Sequence, residues 1–453
     1  MVDFIRQEKE DFRDLFKRVR KRDFSGTGGQ IIKNSSYQLS TNIIAKVGSL
    51  IFTAVIARLL LPELFGLYSL ALGTIIFFAA FSDMGIDSAM ITFISKALGK
   101  NKRRKAKSYF DYLLNLKIIL TLTVSLILLL SAYFIANNYY NKPIFFALLA
   151  GGIYIPLAIF SRFVETLYLA HNNFRFPMLK EIIFQIVRFL AIPLIIILLL
   201  KTNISGEKII AVLILGLSFC YFISLGYLWR KSKKIMPFLR LKKGKLIKKE
   251  REKIKKFTFP LSTIVLSGVF FGYIDILMLG HFVTGEFVGY YGAAFTLIGS
   301  ATVILGFMST ALFPILTRTV GEKLDKLFKK MVRISLIFSL LAVIFTFFAA
   351  KYIIIIIYGN EYLKATIFLQ YFSILLLVGT LISIYGIYFI SQEKTKTFSY
   401  LLIGTTLLNI FLNYLFITSG LKIGMQEAVL GACLATITSK VIYLVGLMSF
   451  RKR

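Results

Sequence analysis

Ten charged side chains inside the long apolar runs of this chain are candidates for a polar site: Lys46, Asp83, Asp87, Arg162, Glu165, Lys180, Glu181, Arg188, Asp275 and Lys440. An ionised group at the centre of a hydrocarbon layer costs about 3 kcal/mol on insertion scales, so such residues turn toward a wet cavity or a partner. Lys46 and Lys180 are near enough to the ends of their runs to snorkel. Arg188, Asp83 and Asp275 are harder to explain that way. Asp83 and Asp87 are four apart and share a helix face, and Arg162 and Glu165, three apart, can pair with each other. The first eight fall in the first half of the chain, which implies a polar vestibule of mixed sign there. Arg188, Lys46, Arg162 and Lys440 are the cations able to hold an anionic group. Asp83, Glu165 and Asp275 are the carboxylates able to couple an ion.

Signatures of catalysis are missing. Gly99-Lys100 is followed by Asn101 and Gly244-Lys245 by Leu246, so neither pair completes a phosphate-binding loop. His171 ends the fourth run and His281 the seventh, which places them at opposite membrane faces, so they cannot share a metal. The expectation is therefore no catalytic residue, no metal and no cofactor. Cys220 and Cys433 both lie inside apolar runs, where a thiol is most simply a small packing group.

The elements that must position these charges are membrane helices. Hydrophobic residues make up 57% of the 453 positions and charged ones only 17%, and the mean hydropathy is +0.75. About twelve long apolar segments follow one another, each near the roughly 20 residues that a bilayer core requires. The expected spans are 38–61, 66–97, 108–136, 143–168, 176–200, 208–229, 257–281, 287–317, 331–357, 366–391, 396–418 and 424–449. The net charge of +33 would suit a nucleic-acid ligand, but nearly all of it sits in every second loop, from Lys100–Lys107 to the long stretch 230–256. That is the positive-inside pattern, and it calls for no nucleic acid. It places both termini in the cytoplasm of a multi-pass cell-membrane protein. In the basic N-terminal arm Ile5, Phe12, Leu15, Phe16 and Val19 share one face, as in a helix lying on anionic inner-leaflet lipids. Ser25–Gly29 is expected to form a flexible link to the first span.

The chain also repeats itself. Glu63-Leu-Phe-Gly66-Leu-Tyr68 recurs 223 positions later as Glu286-Phe-Val-Gly289-Tyr-Tyr291, and Tyr168–Arg175 is echoed by Tyr388–Thr395. Six spans return a chain to its starting side, so the halves form parallel repeats about an axis along the membrane normal. The expected division is a basic arm at 1–36, a first lobe at 37–229, a basic linker at 230–256 and a second lobe at 257–453. Two similar bundles around a shared axis can rock about a central cleft.

Arg58-Leu-Leu-Leu-Pro62-Glu-Leu-Phe-Gly66-Leu-Tyr68, followed by Phe81-Ser-Asp83-Met-Gly85-Ile-Asp87, resembles the Wzx-type oligosaccharide flippases of the MOP exporter superfamily. Phe259-Pro260, Asp275–Gly280 and Val288–Ala294 are similar to the seventh and eighth helices of that family. The resemblance implies a two-lobed, all-α membrane fold. It also implies transfer of a polyprenyl (di)phosphate-linked oligosaccharide to the outer leaflet, by a protein acting as a monomer. Arg58, Asp83 and Asp275 carry over as motif positions, which adds Arg58 to the expected substrate-binding cations. Rival readings are a cation-coupled exporter of small amphipathic molecules, which would favour an acidic, aromatic cavity, and an integral-membrane glycosyltransferase or polymerase. The latter needs substantial outer loops, and those here are short. A purely structural membrane component would not need the buried charges.

Overall fold

The structure is a computed structural model that describes residues 26–452 apart from 203, 243, 320 and 393. The amphipathic face expected at residues 5–19 lies outside the described residues. Among those described, eleven helices are long and apolar enough to cross a membrane. The first, α1 (Gly26–Ala80), is two crossings joined at Leu61, where φ 60° and ψ 170° reverse the chain. Pro62 explains the position of the break, since it lacks an N–H and excludes helical backbone at the residue before it. Side-chain contacts establish the reversal. Asn34, near the start of α1, donates to Asn172 Oδ1 at 2.7 Å, and Ser95, beyond its end, donates to the carbonyl of the nearby Ala170 at 2.8 Å. Both outer segments of the pair therefore end at one turn on one face. This gives twelve crossings, as the sequence implied.

The second crossing is not the continuous helix expected at 66–97. It stops at Ala80, turns through Phe81–Gly85 and restarts as α2 (Ile86–Gly99). Gly85 has φ 79°, and a Cβ there would also meet Leu261 Cβ and Thr258 O at 3.0 Å, so both backbone and neighbours select glycine. Asp83 stabilises the restart by accepting the N–H of Asp87 at 3.2 Å. The link expected at Ser25–Gly29 also differs, because Gly26–Gly29 already belong to α1.

The remaining elements are α3 (Arg103–Tyr133), α4 (Phe145–Ala170), α5 (Arg175–Leu200), α6 (Gly206–Ile235), α7 (Lys248–Phe282), α8 (Gly285–Arg318), α9 (Glu322–Tyr358), α10 (Ala365–Phe372), α11 (Ile374–Ser391), α12 (Thr395–Leu421) and α13 (Met425–Lys452). In the first half α4 packs on α6 and α3, and α5 on α6 and α1. In the second, α12 packs on α13 and α7, and α8 on α11. The basic stretch after α6 is less of a free linker than its charge suggests. Phe238, Leu246 and Ile254 are buried against Tyr109 and Phe110 of α3, and Lys105 pairs with Glu250.

Three apolar cores show where the halves join. The largest contains residues of both, among them Ile56, Phe65, Leu70, Tyr291, Tyr362 and Phe372, and lies toward the face opposite the basic loops. Toward the basic face there are two smaller cores. One is built from Ile86–Ala97, Phe163 and the stretch after α6, and the other from Phe328, Tyr385, Phe389 and Tyr443. A shared core at one end and separate cores at the other are the arrangement from which we infer a cleft opening on the basic face.

Candidate functional site

The charges of the first half form two clusters. Lys117, fully buried on α3, donates to Asp83 Oδ1 at 2.7 Å and to Asp87 Oδ1 at 2.9 Å. Arg162 of α4 places Nε 3.2 Å from Asp87 Oδ2, while its side chain remains 72% exposed. One guanidinium thus stands between a buried ion-paired cluster and open space. Arg162 and Glu165, adjacent on their helix, do not pair with each other as the sequence suggested. Glu165 instead binds Lys180 Nζ at 3.1 Å.

Lys180 begins the second cluster, which runs along α5. It also touches Glu181 at 3.3 Å, Gln185 donates to Glu181 Oε1 at 2.7 Å, and Arg188 donates to Gln185 Oε1 at 2.6 Å. The series ends at Arg188, whose guanidinium lies 4.2 Å from the ring centre of Phe52 and 5.2 Å from that of Phe184. Among the described residues its only side-chain acceptor is an amide, and its Nε is buried without a partner. Lys180 is thus neutralised by two carboxylates, whereas Arg188 is a buried cation beside aromatic faces, with capacity to bind an anion.

Lys46 belongs to a different surface. Gln38, Asn42 and Lys46 recur at four-residue spacing on the basic-face half of α1, and Asn42 and Lys46 are exposed. Leu39, Ile43, Val47 and Ile51 form the neighbouring stripe and are 40–50% exposed. A polar stripe facing lipid would be costly, and an apolar one facing water equally out of place. The two stripes suit a helix at the rim of the inferred cleft, with one side wet and the adjacent side in lipid.

In the second half a polar centre forms around Asp275. Asp275 of α7 is 3% exposed and accepts from Tyr291 Oη at 2.5 Å, from Asn413 Nδ2 at 2.6 Å and from Thr436 Oγ1. Asn409 Nδ2 donates to Thr436 Oγ1 at 3.3 Å, and the amide oxygens of Asn409 and Asn413 are buried without partners. Lys440 is near enough to act electrostatically on Asp275, with its ammonium 5.7 Å from the ring centre of Phe271 and 5.5 Å from that of Phe295. Arg58 stands at the far face, donating to the carbonyls of Ile356 and Ile357 at the end of α9. Tyr362 donates to Ala57 O beside it at 2.9 Å. Arg58 therefore ties the halves together at the closed end, away from the mouth of the cleft.

Sequence reasoning passed over Lys117, Asn409, Asn413 and Thr436. Lys117 had a signal, a lone cation between Leu116 and Ile118 in a long apolar run. The neutral side chains around Asp275 had none, because Asn and Thr are common in helices of every kind.

These features define a membrane protein of the MATE-like, all-helical fold. Its arrangement is similar to an inward-facing multidrug resistance MATE family transporter of the MOP superfamily, with a TM-score of 0.73 and 14% identity over 92% of this chain and 98% of that one. It is also similar to the lipid II flippase MurJ in an inward closed conformation, with a TM-score of 0.68 and 16% identity over 92% of this chain and 87% of that one. No curated protein matches the chain. The profile of the polysaccharide biosynthesis protein family matches residues 31–320, and that of the MatE family residues 260–415. The chain belongs to the polysaccharide biosynthesis protein family.

Proposed function

We propose that this protein flips a polyprenyl (di)phosphate-linked oligosaccharide from the cytoplasmic to the outer leaflet by alternating access, acting as a monomer of two lobes, 37–229 and 257–453. The observation that carries the reading is the pair of stripes on α1. A cargo with a polar head and a long lipid tail needs a helix with water on one side and hydrocarbon on the next, so that the head enters the cleft while the tail stays in lipid. The family description and the likeness to a lipid II flippase support the same cargo class. The basic loops mark the cytoplasmic face, so the cleft receives its cargo from the cytoplasm.

Arg188 is the principal phosphate ligand in this reading, with Lys46, Arg162 and Lys440 assisting as the head moves through the cleft. Asp83 and Glu165 hold neighbouring cations in balance, so that the phosphate is not bound too tightly for release. An inside-negative potential drives an anion outward by about 2.3 kcal/mol per charge per 100 mV. The test is flipping of a fluorescent lipid-linked oligosaccharide in proteoliposomes. Arg188→Gln should leave expression and thermal stability intact and slow flipping about tenfold or more, the scale of one lost charge-assisted hydrogen bond. Arg188→Lys should keep part of the activity. Normal flipping per molecule by Arg188→Gln protein would remove Arg188 from the route.

A second reading, a cation-coupled exporter of small amphipathic molecules, draws on Asp275. Its carboxylate, with two free amide oxygens and two hydroxyls close by, has the oxygen-rich composition that a hard cation or a proton uses. Ion coupling through Asp275 is compatible with either cargo.

A further inference from the structure

A cavity of about 560 Å³ lies on the basic face between the start of α1 and the turn joining α4 to α5. Lys33, Asn34 and Tyr37 line it from α1, and Asn172, Asn173 and Arg175 from the turn and the start of α5. Lys33 and Arg175 are exposed, and neither has a salt-bridge partner among the described residues. Among the described residues no carboxylate lines the cavity, and no Asp or Glu occurs at 26–45 or at 166–180. Among those residues the two cations are uncompensated, unlike Lys180, which two carboxylates neutralise.

The walls are built rather than incidental. Asn172 adopts φ 59°, a left-handed conformation that asparagine tolerates better than most residues, and Asn34 clamps it by donating to both its side-chain oxygen at 2.7 Å and its carbonyl at 3.5 Å. Asn34 therefore fixes the turn that presents Asn173 and Arg175 to Lys33. A guanidinium, an ammonium, an amide and a phenol around one space match the acceptor oxygens of a phosphate ester.

The position of the cavity selects a lipid as the bearer of that phosphate. The first apolar span begins at Lys33, in the wall of the cavity. A phosphate held between Lys33 and Arg175 would lie at headgroup depth, where the phosphate esters of membrane lipids sit. We propose that this cavity is a binding site for the phosphate ester of a membrane lipid, separate from the route through Arg188.

The test is lipid binding by the full-length protein in detergent, measured by native mass spectrometry. The probes are a polyprenyl phosphate, phosphatidylglycerol and inorganic phosphate, with diacylglycerol as the control without phosphate. Lys33→Gln combined with Arg175→Gln should weaken binding of at least one lipid phosphate by about tenfold, the scale of one charge-assisted contact. Lys33→Arg combined with Arg175→Lys should stay within about threefold of the unaltered protein. Preference for the polyprenyl phosphate would make the cavity a waiting position for cargo, and preference for phosphatidylglycerol would make it the seat of a resident lipid. Unchanged binding of every phosphate probe by the double glutamine variant, equal binding of diacylglycerol, or a response to inorganic phosphate alone would overturn the proposal. The measurement needs no transport, so failure of the flippase reading would be seen separately, as absence of flipping by the unaltered protein.

Discussion

Gly66 and Gly289, which hold equivalent positions in the internal repeat, cross in direct backbone contact. A Cβ on Gly66 would lie 1.8 Å from Gly285 O and 2.6 Å from Gly289 N, and one on Gly289 would lie 2.1 Å from Pro62 O and 3.2 Å from Gly66 N. Pro62 and Gly285 are themselves separated by the repeat offset of 223. The contact is thus reciprocal, with each half presenting the same two positions to the other, as a local twofold relation requires. It lies at the end of the molecule where Arg58 and Tyr362 also bridge the halves, and this end must part if the cleft is to open on the other face.

Gly66→Ala and Gly289→Ala should therefore wedge the closed end apart. Overpacking of this kind costs about 1–3 kcal/mol, enough to shift a two-state balance about tenfold. A cysteine at Ser69, close to Gly292 across the crossing, should react faster with a small impermeant thiol reagent in either variant than in the parent. Transport should fall while expression holds. Equal reactivity at Ser69 in variant and parent would show that the crossing is not the closure.

Much of this was legible in the sequence, and its gaps follow a pattern. Helix number and loop alternation could be read because hydrocarbon imposes length and apolarity on every span. The echo of Glu63–Tyr68 at Glu286–Tyr291 identified the two segments that meet, yet nothing in it said that they meet each other. The break at Phe81–Gly85 was hidden because the residues on both sides stay apolar. Pairings were the least legible. Helical spacing put Arg162 beside Glu165, but each found a nearer partner on another helix, Asp87 and Lys180. Spacing constrains neighbours along one helix only.

Lys117 should be the most damaging single position to neutralise. It is fully buried and is the ligand shared by Asp83 and Asp87. Removing one partner from a buried ion pair typically costs about 3–5 kcal/mol, because the remaining charge is left unpaired. Lys117→Met should lower the melting temperature in detergent and reduce the yield of folded protein. Combining it with Asp83→Asn and Asp87→Asn should restore most of the loss. Failure of that triple variant to recover stability would mean that Lys117 acts through packing rather than charge.

Asp275 should govern any dependence on a small cation. If sodium occupies the site, adding it to purified protein should raise the melting temperature, and Asp275→Asn should abolish that rise. Thr436→Val and Asn413→Ala should diminish it, since each removes an oxygen near the carboxylate. If protons occupy it, Asp275→Asn should flatten the pH dependence of transport. Unchanged sodium and pH responses in Asp275→Asn would reduce Asp275 to a structural acid.

The sidedness of the whole reading rests on loop charge, and the fold supplies good places to test it. Lys245 is exposed on the basic face, and Thr284 is exposed at the opposite one, immediately before the buried Gly285. Single cysteines at these two positions report on the two sides of the membrane. The native Cys220 and Cys433 are both buried and should react slowly, giving a low background. With the basic loops in the cytoplasm, a membrane-impermeant thiol reagent added to intact cells should label the Thr284→Cys protein and spare Lys245→Cys. Permeabilising the cells should then expose Lys245→Cys without changing the other. The reverse pattern would place the open cleft and the Lys33–Arg175 cavity on the outer face. Cargo would then have to enter from outside, and export by the route through Arg188 would be ruled out.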